Sequence, residues 1–164
     1  MLENFIKNAQ VLEKLVNPLS FPKVHLVENM VLLGNIDYVG EMDNATLHII
    51  DFKTGAKDED SPLQLYIYAM LAEANYGKKV SKVSFWYLDR DNQPKEAVLD
   101  PLDKTYQWLK EKAIEIKQAL DTNHWVCAGQ NRCNCEAYQS IISGKGEFMF
   151  TDYKFKKDIY YFKK

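Results

Sequence analysis

The sequence predicts an α+β domain in which a mixed central sheet is flanked by helices, and three observations predict it. Segments of helical and β-type patterning follow one another in the order helix, strand, strand, helix, strand, strand, helix. Turn-forming clusters separate them at Glu41 to Asn44, Thr54 to Asp60 and Asp89 to Gln93. The 164 residues are 46% apolar with a formal net charge of −2, a balance that belongs to a globular chain rather than to a disordered tail or a fibre. A chain of this length buries about 70% of the surface its unfolded form exposes, so a single domain over 1–164 needs no staple. Its core is expected over about 24–120, with a cysteine-bearing C-terminal extension over 121–164.

Leu2 to Val16 place Phe5, Ala9, Leu12 and Val16 on one helical face, and Asn17-Pro18 stops the pattern. From Val24 the texture becomes β-type. A run from Met30 to Val39, the polar cluster after it and a second run from Thr46 to Lys53 predict a β-hairpin. Thr54-Gly55 breaks the strand, and Ala56 to Asp60 is a short charged loop. Ser61-Pro62 then offers an N-cap followed by proline at the first helical position. The helix expected from Pro62 to about Tyr76 has an apolar face of Leu63, Ile67, Met70, Leu71 and Ala74, with Gly77 where a C-terminal glycine belongs. Lys79 to Leu88 alternates with aromatic content, Glu96 to Leu99 suits a short partner strand, and Asp100-Pro101 opens a long helix to about Leu120.

No stretch approaches the roughly 20 apolar residues of a membrane span, so neither a membrane partner nor an anchor is expected. Three cysteines crowd into Cys127 to Cys135, too close for a disulfide framework, which points to a reducing, cytoplasmic setting. The near-zero charge argues against nonspecific coating of nucleic acid but leaves room for a local basic groove. Basic charge gathers at the C-terminus, where six lysines from Lys145 onward face three acids.

The segment Ile49-Ile50-Asp51-Phe52-Lys53-Thr54-Gly55 carries the most chemical information. Strand alternation puts Asp51 and Lys53 on one side, about 7 Å apart along the strand. Asp37 precedes the turn, and a hairpin centred on Asn44 sets it opposite Asp51. Two adjacent carboxylates repel unless a cation or proton lies between them. Hard oxygens of this kind suit Mg²⁺ or Mn²⁺, with Lys53 adding positive charge beside the metal. Taken alone, Asp51 and Lys53 would also read as an edge-strand salt bridge and Asp37 as a turn residue. Gln64 and Tyr68 lie four apart on the following helix and share a face that can point back at the strand end. Gln64 is also three residues after Ser61, the spacing of a capping box.

These residues resemble the PD-(D/E)xK nuclease superfamily, most closely its RecB-like branch, which includes nuclease domains of bacterial recombination helicases, CRISPR-associated adaptation nucleases and many phage exonucleases. The matching motifs are G-x-x-D at Gly34 to Asp37, hydrophobic-D-hydrophobic-K-T-G at Ile50 to Gly55, and Q-x-x-x-Y at Gln64 to Tyr68. The match runs from roughly Glu28 to Leu88. It implies a restriction-endonuclease-like core and a metal-dependent DNA hydrolase in which Asp37 and Asp51 bind the ion. Lys53 would orient or activate the attacking water, while Gln64 and Tyr68 would steer the DNA backbone or the lysine. By the same resemblance the substrate is DNA, single-stranded or at ends, and the partner a helicase or a CRISPR or phage recombination component.

Family members often carry a further acid before the first core strand, which makes Glu28 a candidate metal ligand here, or a solvated strand residue. His25 is a weaker upstream candidate. Several RecB-like nucleases hold an iron–sulfur cluster with one cysteine before the core and three after it. Cys127, Cys133 and Cys135 follow the long helix, but no cysteine lies upstream, so four cannot be assembled from this chain. With His124 the three could form a zinc site, or they are plain thiols. Lys154, Lys156 and Lys157 interleave with aromatics, a combination that grips single strands or else forms the solvated face of a strand. Two other readings stand beside the nuclease: a catalytically silent DNA-binding or scaffold module of a helicase–nuclease assembly, and a structural zinc protein.

Overall fold

A computed structural model describes residues 2–59, 61–125 and 135–162, the last range without the side chains of 135 and 136. The chain forms two compact units, Met1–Asp121 and Thr122–Lys164.

The first unit is built on a five-stranded sheet, and its order follows from how its strands are connected. Strands β4 (Tyr38–Glu41) and β5 (Leu47–Lys53) form an antiparallel hairpin, with Tyr38 opposite Ile50 and Glu41 opposite Leu47. Helix α2 (Leu63–Tyr76) then carries the chain back so that β6 (Val80–Tyr87) pairs parallel to β5, since parallel neighbours need a crossover. β7 (Lys95–Ala97) adds antiparallel to β6, and the short β1 (Lys14–Leu15) caps the other edge on β4. The order is β1-β4-β5-β6-β7, a mixed sheet with flanking helices, as the patterning predicts. A separate hairpin pairs β2 (Lys23–Val27) with β3 (Met30–Leu33), and α3 (Leu102–Thr122) buries Thr105, Leu109 and Ala113.

The two sheet faces carry different contents. Leu47 and Ile49 of β5 face Leu65, Ala69 and Ala72 of α2 in the main core, with Val83, Phe85 and Tyr87 of β6 beside them. On the alternate side, Phe5 of α1 (Leu2–Asn8) packs against Phe52 and Trp86, ring centroids 5.7 and 5.5 Å away. His48 on that side is 1% exposed. Its Nδ1 lies 2.8 Å from Glu13 Oε1 and its Nε2 2.8 Å from Ser84 Oγ. Burial pulls the imidazole below its ordinary pKa against the opposing pull of Glu13. The neutral ring donates to the carboxylate and accepts from the hydroxyl, so every polar atom on it is used. Gly40 leaves the space for this, since a Cβ there would sit 3.0 Å from Glu13.

Three expectations differ from the structure. The N-terminal helix stops at Asn8, a 3₁₀ turn spans Ala9–Val11, and Lys14–Leu15 joins the sheet, because β4 offers an open edge for the backbone to pair with. The Met30 to Val39 run is two strands rather than one: Met30–Leu33 folds back on Lys23–Val27, and only Tyr38 onward pairs with β5. On α2 the buried residues are Leu65, Ala69, Met70, Leu71 and Ala72, while Leu63 and Ile67 are half-buried and Ala74 is exposed. The helix is covered on more than one side. Besides the sheet it meets the segment after β3, where the absent side chain of Gly34 makes room for Leu71. Gly77 ends α2 in the left-handed conformation, as its position predicts.

The second unit holds α4 (Cys135–Ile142) and an antiparallel hairpin of β8 (Glu147–Asp152) and β9 (Lys157–Tyr161). No helix among the described residues is long and apolar enough to cross a membrane. Gly34→Ala puts a methyl group into fully buried Leu71 and is expected to lower unfolding free energy by about 1–3 kcal/mol, read from the urea midpoint at unchanged m-value.

Candidate active site

The site forms where β5 leaves the core. Its odd-numbered residues share one face: Leu47 and Ile49 lie under α2, and the next two positions are Asp51 and Lys53. Because α2 runs back over the sheet, its first turns stand beside that end of β5. Gln64 and Tyr68 therefore meet the strand end.

Asp51 is 2% exposed. Lys53 Nζ lies 2.9 Å from Asp51 Oδ2 and pairs with it. Burial pushes the Asp51 carboxyl above its ordinary pKa against the opposing pull of Lys53, and the charges of Asp37 and Glu59 push it the same way. For Lys53, burial pulls the ammonium down, but the attraction of Asp51, joined by Glu59, outweighs it and holds the lysine above its usual range.

Asp37 stands one residue before β4, and the hairpin register, continued by one pair, sets it opposite Asp51. Its Oδ2 accepts a hydrogen bond from Phe52 N–H at 3.0 Å, which orients the carboxylate along β5. Gln64 does not bond back to the helix start. Its Oε1 accepts from Lys53 Nζ at 2.7 Å and its Nε2 donates to Tyr68 OH at 2.9 Å. Ser61 Oγ accepts from Leu63 N–H at 3.3 Å, so the helix start is served without Gln64. Asp51, Lys53, Gln64 and Tyr68 thus form one connected chain, with Asp37 coupled to Asp51 by charge.

Other candidates lie apart from this chain. Glu28 is exposed in the turn between β2 and β3 and acts on Lys117 of α3 rather than on Asp51. His25 is exposed on β2, and its backbone oxygen accepts from Tyr106 OH at 3.3 Å. In the second unit, Lys154 and Lys156 occupy the β8–β9 turn and Lys157 begins β9, all exposed. Cys127, Cys133 and the side chain of Cys135 lie outside the described residues. Sequence reading passed over Glu59, whose Oε1 lies 3.4 Å from Lys53 Nζ. Its only signal was its place in a charged loop.

A family model for the PD-(D/E)XK nuclease superfamily matches residues 1–140. The chain belongs to the PD-(D/E)XK nuclease superfamily. No curated protein matches the chain. Enzymes of this superfamily generally use divalent metals and act on DNA. Among the described residues no group of three or more His, Cys, Asp or Glu side chains is gathered around one point. The residues of this PD-(D/E)XK site nonetheless fit a hard cation. Mg²⁺ keeps several waters and binds through one or two carboxylates, and the buried Asp51 carboxylate, whose charge couples to that of Asp37, stands next to the oriented Asp37.

A divalent cation bound there stabilises the folded state by mass action. At 100 times its dissociation constant, Mn²⁺ is expected to add about 2.7 kcal/mol to wild-type unfolding free energy and little to Asp51→Asn. The raised Asp51 pKa sets the pH dependence. As pH falls, the carboxyl takes up its proton earlier than an ordinary aspartate, and the metal must displace it. The Mn²⁺-induced gain therefore shrinks toward acidic pH and grows as pH rises, as thermal denaturation at several pH values measures.

Proposed function

We propose that this PD-(D/E)XK chain is a Mg²⁺- or Mn²⁺-dependent deoxyribonuclease that hydrolyses phosphodiester bonds. The observation that carries the reading is Lys53 held between the buried Asp51 carboxylate and Gln64, with Asp37 set opposite Asp51 by the hairpin register. Exonucleolytic action on single-stranded DNA or DNA ends is the form the RecB-like motifs favour. The same motifs favour a place in repair, recombination or phage or CRISPR DNA processing, with a helicase-type partner, and the crowded cysteines favour the cytoplasm.

Asp37 and Asp51 would hold the cation, Asp37 oriented by the Phe52 N–H and Asp51 by its place in the strand. When bound, such a cation lowers the pKa of a water and offsets charge developing on the phosphoryl oxygens. Lys53 supplies a second positive charge. Its raised pKa keeps it an ammonium at neutral pH, so it acts by stabilising negative charge on the phosphate and orienting the nucleophile, not by removing a proton. Gln64 aims that ammonium, and Tyr68 fixes the Gln64 amide so that its oxygen, not its nitrogen, faces the lysine. Burial strengthens each of these interactions over its value in water.

Cleavage of end-labelled single- and double-stranded DNA with Mg²⁺ or Mn²⁺ tests the reading. Asp51→Ala and Lys53→Ala are each expected to lower the rate by at least about 100-fold, the scale on which a charge-stabilising group acts. Gln64→Ala, which removes an aiming group only, is expected to lower it by about 10- to 100-fold. Salt-sensitive DNA binding by a wild type that does not cleave would instead favour the silent scaffold.

A further inference from the structure

The Lys53 ammonium carries three protons and faces three oxygen acceptors that are held in different ways. Asp51 Oδ2, at 2.9 Å, comes from the same strand, and Gln64 Oε1, at 2.7 Å, from the first turn of α2. Regular structure fixes both. Glu59 Oε1 is the farthest, at 3.4 Å, its side chain is 46% exposed, and it rides on the connection between β5 and α2. An exposed carboxylate at that distance is the weakest of the three and the easiest to exchange.

The connection is nevertheless held where it carries Glu59. Glu59 N–H donates to Tyr87 OH at 2.6 Å. Arg90 donates to the Ala56 carbonyl at 2.9 Å, pairs with Asp58, and lies over the Tyr87 ring 4.1 Å from its centroid. The end of β6 and the turn after it therefore clasp residues 56–59 beside Lys53. Packing does not require Glu59 there, because it is half exposed and Lys53 already has two closer acceptors. What the clasp delivers is a displaceable anionic oxygen at the lysine.

We propose that Glu59 stands in for a DNA phosphate: its carboxylate occupies the anion position on Lys53 in the free protein and is exchanged for a phosphoryl oxygen when a strand binds. The proposal rests on the nuclease reading of the site. Both ligands present anionic oxygen to the same ammonium, and Lys53 keeps Asp51 and Gln64 throughout, so its aim survives the exchange. A lone small anion gains only one lysine by displacing Glu59. A DNA strand brings its other phosphate contacts as well, so the exchange favours polyanions.

E59Q keeps the size and a neutral acceptor but removes the charge. Anisotropy of a short fluorescent single-stranded oligonucleotide, in EDTA so that no metal-dependent cleavage runs, compares the full chain as wild type, E59Q and E115Q. Glu115 is an exposed acid on α3 paired with Lys112, so E115Q makes the same charge change elsewhere. E59Q is expected to bind about three- to tenfold more tightly and E115Q as wild type does. In Mn²⁺, KM for the oligonucleotide should fall for E59Q with kcat held within about twofold, since the aim of Lys53 is kept. Unchanged or weaker binding by E59Q overturns the proposal, and so does equal tightening by E115Q, which is a general charge effect. Weaker Mn²⁺ binding by E59Q in calorimetry also overturns it, making Glu59 a metal-holding carboxylate. The two readings fail separately. A chain that does not cleave but gains affinity with E59Q loses the nuclease reading and keeps the exchange, and a chain that cleaves with E59Q unaltered does the reverse.

Discussion

An ion pair set into the end of a buried strand is the interaction on which the rest of the site depends. Asp51 is almost wholly enclosed because β5 has β4 on one side and β6 on the other and lies beneath α2. Placing a carboxylate there is unfavourable unless a cation faces it, and Lys53 is that cation. A pair of packed apolar side chains would often stabilise such a position as well or better. The ion pair holds an ammonium against a buried carboxylate at the strand end, an arrangement suited to a divalent cation and a phosphate and of little use to packing.

The topology brings the remaining groups to this point. Parallel pairing of β5 with β6 obliges the chain to cross over, and the crossover helix returns with its first turns at the strand end. Gln64 and Tyr68 reach Lys53 for that reason, and the absent side chain of Gly34 lets α2 pack closely against the segment leading to Asp37. The opposite face of the sheet is stabilised differently. There Phe5, Phe52 and Trp86 pack together, and His48 joins Glu13 to Ser84, so the strand that carries the charges is held from both sides.

Much of this was legible in residue order. Alternation in β5 put Asp51 and Lys53 on one face, and symmetry about Asn44 anticipated the observed hairpin register. Spacing left Gln64 divided between a capping box and the site, because both need a polar side chain in the first helical turn. Only the position of Lys53 decides between them. The N-terminal segment misled for a related reason: its periodicity fits a helix through Val16, but an open sheet edge competes for Lys14 and Leu15. The apolar face of α2 was misplaced because a helix covered on more than one side does not bury a single stripe. Glu59 carried no pattern, since a loop acid acquires meaning only from what the loop is clasped to.

By itself the sequence determined the mixed α+β architecture, the superfamily membership and the motifs at Gly34 to Asp37, Ile50 to Gly55 and Gln64 to Tyr68, because periodicity and motif spacing are properties of neighbours along the chain. The tertiary structure alone decided that Asp51 is buried against the Lys53 ammonium, that Gln64 holds Lys53, and that Tyr87 and Arg90 bring Glu59 to the same ammonium. Burial and long-range hydrogen bonds depend on which distant segments pack together, and the raised pKa of Asp51 follows from that enclosure.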